Sequence, residues 1–213
     1  MALQIKIFEF NAFQENMYIL YDETNECVII DPGCSNKNEE KILTDFIEEK
    51  GLHPTMLINT HCHIDHVLGN QFVAKKYDLS LFAHELEKQT LLMQPLVAQM
   101  YGLPYDPSPQ ISGFLKEGEE ISFGNSQLKI LFVPGHAPGH ICLLSEVNNI
   151  CIVGDTLFAG SIGRTDLPGG DYDTLISRIK SELFSLDKDT VIYPGHGGSS
   201  TIGRELRTNP FFK

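Results

Sequence analysis

Four metal-binding side chains stand within six consecutive residues in the run His61-Cys62-His63-Ile64-Asp65-His66. Three imidazoles and a carboxylate this close repel one another when protonated and cost desolvation when buried without partners, so the run calls for a cation. It follows Thr55-Met56-Leu57-Ile58-Asn59-Thr60, which has the pattern of a buried strand. An extended segment points alternate side chains to one side, so His61 and His63 can face one ion. As the chain bends toward the next helix, Asp65 and His66 become free to face a second ion beside the first.

Three later segments have the same local form, an apolar strand ending in a Gly-containing turn with a ligand-type side chain. They are Phe132-Val133-Pro134-Gly135-His136, Ile152-Val153-Gly154-Asp155 and Ile192-Tyr193-Pro194-Gly195-His196. Alone, His136 or His196 reads as a hydrogen-bonded loop histidine and Asp155 as a turn residue. Together with the run they place five of the eight histidines and two aspartates at strand exits, where loops converge. His53, His84 and His140 lack that context, with His140 a candidate to support a ligand. Alternation points Cys62 away from the metals, as a small buried side chain.

The rest of the pattern predicts strands at Gln4 to Phe10, Met17 to Tyr21 and Cys27 to Ile30, the last ending on Asp31-Pro32-Gly33. A helix over Asn36 to Lys50 is closed by Gly51. A second helix is expected from about His66 to Tyr77, a short strand at Leu79 to Ala83, and a helix at Glu85 to Met100 interrupted by Pro95. Tyr101 to Lys116 reads as a loop. Strands then resume at Glu120 to Phe123, Gln127 to Val133, Ile141 to Ser145 and Ile150 to Val153. A helix from Tyr172 to Phe184, a strand at Thr190 to Tyr193 and a helix from about Ser200 to Arg207 complete the chain. Strand blocks with helices between them, repeated in two halves, predict two sheets with helices packed outside.

A length of 213 residues suits one domain over 1–213. Sixteen basic against 28 acidic residues give a formal charge of −12, which disfavours nucleic acid and anionic membranes as partners. The five cysteines show no C-x-x-C pattern and the N-terminus, Met1 to Phe10, lacks the apolar stretch of a signal peptide, so a reducing, cytoplasmic location is expected. The oligomeric state is left open.

The run at His61 to His66 resembles the H-x-H-x-D-H signature of the metallo-β-lactamase fold superfamily, and the later segments match its remaining ligand motifs in order. Gly154-Asp155-Thr156-Leu157-Phe158 leading into Gly163-Arg164-Thr165-Asp166, and Pro194-Gly195-His196-Gly197 leading into Asn209-Pro210-Phe211, are similar to single-domain glyoxalase II-like (hydroxyacylglutathione hydrolase-like) hydrolases. That resemblance implies an αββα sandwich of the α/β class, with two mixed sheets and helices outside. It implies one metal on His61, His63 and His136, another on Asp65, His66 and His196, and Asp155 bridging them. A further implication is that the helical C-terminal region of two-domain glyoxalase II enzymes is absent from 1–213.

All seven donors offer nitrogen or oxygen, so two divalent ions are expected, zinc first, with iron or manganese as alternatives. Such a pair can supply a hydroxide near neutral pH to attack a carbonyl carbon. The carboxylates Asp65 and Asp155 are the expected catalytic groups. A thioester is favoured over an amide because a thiol, with a pKa of about 8.5, leaves without an added proton. Arg164 is a candidate to pair with a substrate carboxylate, and Tyr105, with Tyr101 and Phe114, to line the pocket. Two other classes stay open, a persulfide dioxygenase with one iron on His61, His136 and Asp155, and a metal-binding scaffold without activity. The second triad, through His196, separates them from a dinuclear hydrolase.

Overall fold

A computed structural model describes residues 3–213. Met1 and Ala2, part of the N-terminal reading, lie outside the described residues. The first half runs β1 (Gln4–Phe10), β2 (Glu15–Tyr21), β3 (Glu26–Ile30), α1 (Lys37–Lys50), β4 (His53–Ile58), α2 (Ile64–Val67), α3 (Asn70–Tyr77), β5 (Leu81–Ala83), α4 (Glu87–Tyr101) and β6 (Ile111–Phe114). The second runs β7 (Glu120–Phe123), β8 (Ser126–Phe132), β9 (Ile141–Ser145), β10 (Ile150–Gly154), β11 (Leu157–Phe158), β12 (Ser161–Ile162), α5 (Tyr172–Arg178), β13 (Val191–Pro194), β14 (Ser200–Thr201) and α6 (Ile202–Thr208).

The strands form two six-stranded sheets, ordered β1-β2-β3-β4-β5-β6 and β14-β13-β10-β9-β8-β7, with β11 and β12 as a separate hairpin. Both are mixed: β1, β2 and β3 pair antiparallel while β3, β4, β5 and β6 pair parallel, and β10 with β13 is the parallel pair of the second sheet.

Strand alternation explains why the sheets stack. In β2 and β3, Tyr18, Leu20, Val28 and Ile30 face one core, and Met17, Ile19, Cys27 and Ile29 face another. The first set meets Ile130, Ile141, Leu143 and Ile152 of the second sheet, forming the layer between the sheets. The second set packs against Leu43 and Ile47 of α1, Val73 of α3 and Leu91 of α4. On the far side, Cys142, Leu144, Cys151 and Val153 pack against Leu175 of α5 and Ile202 of α6. Strands apolar on both faces can be buried only between two layers, and the result is the expected αββα sandwich.

Helix α1 is bounded by Asn36, whose side chain accepts from the amides of Asn38 and Glu39, and by Gly51 in the left-handed conformation. Several other expected elements needed correction. The helix expected from His66 to Tyr77 is broken at Leu68-Gly69, because Asn59 Nδ2 takes the His66 carbonyl and the Gly69 amide donates to Pro32 O. Pro95 does not interrupt α4, which runs through it from Glu87 to Tyr101 with the proline ring on an exposed face. The expected loop from Tyr101 to Lys116 contains β6, which completes the first sheet beside β5. The helix expected to reach Phe184 is α-helical to Arg178 and continues as a π-turn over Ile179–Leu183. The hairpin of β11 and β12 was not expected, and α6 starts after β14 rather than at Ser200.

Candidate metal centre

The run enters from β4. His63 is extended and precedes α2, so Asp65 and His66 fall in the first helical turn while His61 and His63 precede it. His136 comes from the loop between β8 and β9, Asp155 follows β10, and His196 follows β13. Sheet order sets β10 beside β9 and β13, which brings these later exits together. Asn16 of β2 secures the last one across the sandwich: its amide donates to Gly195 O at 2.7 Å, and Nδ2 to Pro194 O at 3.0 Å and Gly197 O at 2.8 Å.

All seven expected residues are brought together. His61, His63 and His136 offer one donor atom each, all within 4.8 Å of one another, and Asp65, His66 and His196 do the same. Between the triads sits Asp155, with Oδ1 3.6 Å from His66 Nε2 and Oδ2 3.6 Å from His136 Nε2 and 3.5 Å from His196 Nε2. Gly195 makes room for this, since a Cβ there would meet Asp155 Oδ1 and the His66 ring.

The nitrogens turned away from the centre fix the tautomers. His136 Nδ1 donates to Arg164 O at 2.7 Å, and His196 Nδ1 to the carbonyls of Phe13 and Gln14 at 3.1 and 3.2 Å. His66 Nδ1 faces Asp31 Oδ2 at 3.2 Å. With those protons on Nδ1, the Nε2 lone pairs point inward. His136 Nε2 then lies 2.9 Å from His63 Nδ1 and 3.3 Å from His61 Nε2, a crowding of nitrogens that a cation relieves. His66 Nε2 and Asp155 Oδ1 are buried without a hydrogen-bond partner. The donor set therefore fits a pair of metal ions.

Burial and the surrounding imidazoles hold His61 well below the usual histidine pKa, and burial with His136 pushes His63 down to about 3. Burial likewise lowers His136, so the first triad is neutral and ready to ligate at pH 7. In the second triad burial works against charged imidazoles, but Asp65 and Asp155 outweigh it and raise His66 and His196 above the usual histidine pKa. Burial works against an ionised Asp155, but His66, His136 and His196 outweigh it and hold the carboxyl well below its ordinary range. For Asp65, the neighbouring His66 and His196, whose Nε2 lies 3.0 Å from Oδ2, likewise outweigh burial and lower the carboxyl.

Sequence reasoning treated Asp31 as a turn residue, yet it supports the centre. Its carboxylate accepts from Thr60 N at 2.7 Å and Thr60 Oγ1 at 2.6 Å while facing His66. The signal was present, because Ile29-Ile30-Asp31-Pro32-Gly33 has the same strand-exit form as the ligand segments. His140 supports Asp155, its Nε2 accepting from the Asp155 amide at 3.0 Å. Cys62 is fully buried, and burial pushes its thiol far above the range of a nucleophile.

Arg164 stands at the rim, its carbonyl on His136 and its exposed guanidinium paired with Asp166 through Nε–Oδ1 at 2.7 Å and Nη2–Oδ2 at 2.8 Å. Tyr105 lies elsewhere than expected. Its hydroxyl pairs with Ser108 Oγ at 2.8 Å, and its ring lines a separate cavity of about 480 Å³ with Cys34, Leu68 and Phe72, which none of the seven residues lines. The loop tucks this aromatic onto the first core. Tyr101 instead packs edge-on against Phe13, whose carbonyl holds His196, at 5.7 Å between ring centroids. Phe114 lies under the Lys88 ammonium, 4.2 Å from the ring centroid.

The model of the metallo-beta-lactamase superfamily matches residues 10–196, which spans every one of the seven donors. The chain belongs to the metallo-β-lactamase superfamily. Within it, the chain is 38% identical over 211 residues to hydroxyacylglutathione hydrolase GloC of Haemophilus influenzae, covering 98% of both chains. Among solved structures, a B3 metallo-beta-lactamase named BLEG-1 superposes with a TM-score of 0.90 at 29% identity, over 99% of this chain and 100% of that one. A protein named TTHA1623, solved in a di-iron-bound form, gives 0.87 at 35% identity over 97% and 99%. Members of the superfamily are metallo-hydrolases that bind divalent metals, and the two triads are where this member offers its donors. Among the described residues no helix is long and apolar enough to cross a membrane.

Proposed function

We propose that this member is a thioesterase of the hydroxyacylglutathione hydrolase kind, with two divalent metal ions on His61, His63, His136 and on Asp65, His66, His196. The observation that carries the reading is Asp155, whose two carboxylate oxygens face the two triads. The similarity to GloC along nearly the whole chain supports the substrate class. Zinc suits the nitrogen-rich donor set, and the di-iron form of TTHA1623 makes iron the second reading.

Paired divalent ions supply Lewis acidity toward a carbonyl and lower the pKa of water toward roughly 7. The chain's own residues supply geometry and proton handling. Asp155 is aimed by its amide's bond to His140 Nε2, and Asp65 is held through His196, which the Phe13 and Gln14 carbonyls fix. His63, Asp65 and His196 are the partly exposed members of the two triads, so substrate reaches the centre on their side. Behind the histidines, Glu15, Asp31 and Glu87 are all buried and none reaches solvent to protonate a leaving group. A thiol leaves as thiolate without such help, whereas an amine does not, and this favours a thioester.

The second triad argues against a single-iron dioxygenase, which has no use for Asp65, His66 and His196 together. A small-molecule thioester is the proposed partner, the charge of −12 arguing against nucleic acid. Five free, buried cysteines support a reducing, cytoplasmic location. A thioester panel including S-lactoylglutathione tests the activity. Hydrolysis of glutathione thioesters is expected; oxygen consumption with a glutathione persulfide and no thioester turnover would overturn it.

A further inference from the structure

Glu87, the first residue of α4, is wholly buried although it carries an acid. Each of its carboxylate oxygens holds one backbone amide: Oε2 accepts from Cys62 N at 2.8 Å, and Oε1 from Gly139 N at 2.7 Å. Cys62 stands between His61 and His63. Gly139 belongs to the loop of His136 and adjoins His140, which supports Asp155. One side chain thus ties together the two loops that carry the first triad, while the second triad draws on α2 and the turn after β13.

We propose that Glu87 is a positioning residue for the first metal site, holding the Cys62 and Gly139 amides so that His61, His63 and His136 keep the spacing one ion needs. The inference rests on the metal-centre reading and deepens it. Carboxylates that orient ligand-bearing groups set metal affinity, and losing such a group typically costs about 10–100-fold. A merely stabilising acid at a helix start would instead shift unfolding without distinguishing the two metal sites.

Two parents separate the sites. His196→Ala disables the second and His63→Ala the first, and zinc is titrated into each apoprotein against a competing chelator. Glu87→Gln, which offers one acceptor to two N–H donors, should weaken zinc binding about 10–100-fold in the His196→Ala parent. In the His63→Ala parent the loss should be clearly smaller, because Glu87 bears on the second triad only indirectly, through the Cys62 segment and the loop of His140, which supports the shared Asp155. Where circular dichroism shows that Glu87→Gln does not fold, Glu87→Asp, one methylene short of spanning both amides, makes the same comparison. Unchanged affinity in the His196→Ala parent, or equal weakening in both, would overturn the role of Glu87. Should the unsubstituted protein take up no zinc, the metal-centre reading itself fails, and Glu87's role falls with it.

Discussion

The Asp155 carboxylate faces His136 of the first triad and His66 and His196 of the second, so its loss should disturb both triads at once. Asp155→Ala is expected to cut kcat/KM for a thioester by more than about a hundredfold, the scale on which a single electrostatic group acts at a reacting centre. Circular dichroism should stay native, and unchanged turnover would remove Asp155 from the bridging position. Arg164 lends itself to a split readout. If its guanidinium exchanges Asp166 for a substrate carboxylate, Arg164→Ala should raise KM several-fold and leave kcat nearly unchanged, as expected on removing uniform binding. A surface ion pair alone would leave KM where it was and change stability little.

At the scale of elements, Asp22 after β2 links the turns of the two sheets. Its carboxylate accepts from Thr24 N at 2.9 Å, Thr24 Oγ1 at 2.6 Å, Asn125 N at 2.8 Å and Ser126 Oγ at 2.8 Å. Burial raises its pKa, but these hydrogen bonds more than offset that and leave it below the ordinary value. A depressed folded pKa stabilises the protein above the unfolded value of about 3.9, and the contribution fades as pH falls through the folded value. Asp22→Asn should therefore cost about 1–3 kcal/mol in denaturant unfolding at pH 7, and less near pH 3. An equal deficit at both pH values would contradict this. The sequence disclosed elements whose information is local: the Asn36 and Gly51 caps of α1, and the alternating apolar residues of β2 and β3. It concealed β6 and the β11 and β12 hairpin, since short strands are defined by partners distant in the chain. The break between α2 and α3 was hidden for the same reason, its cause being Asn59 and Pro32. The seven clustered side chains were legible because four stand in one six-residue run after β4 and the other three each follow an apolar strand. Glu87 was not, because nothing near it in sequence marks its two amide partners.

Across the whole molecule, three apolar layers hold two sheets and their helices together, while the centre gathers imidazoles and carboxylates at one end of the strands. The layers do not depend on the metals, so a chelator should leave secondary structure intact. It should nevertheless lower Tm, because a ligand present at about a thousandfold over its Kd adds about 4 kcal/mol. Restored zinc should recover the loss, and a Tm indifferent to chelator and zinc would count against tight binding. The central claim is that two triads sharing Asp155 hold two ions. Elemental analysis of freshly purified protein tests it most directly: the account predicts two equivalents of divalent metal per chain, falling on Asp155→Ala, whereas a single equivalent of iron unaffected by His196→Ala would contradict it.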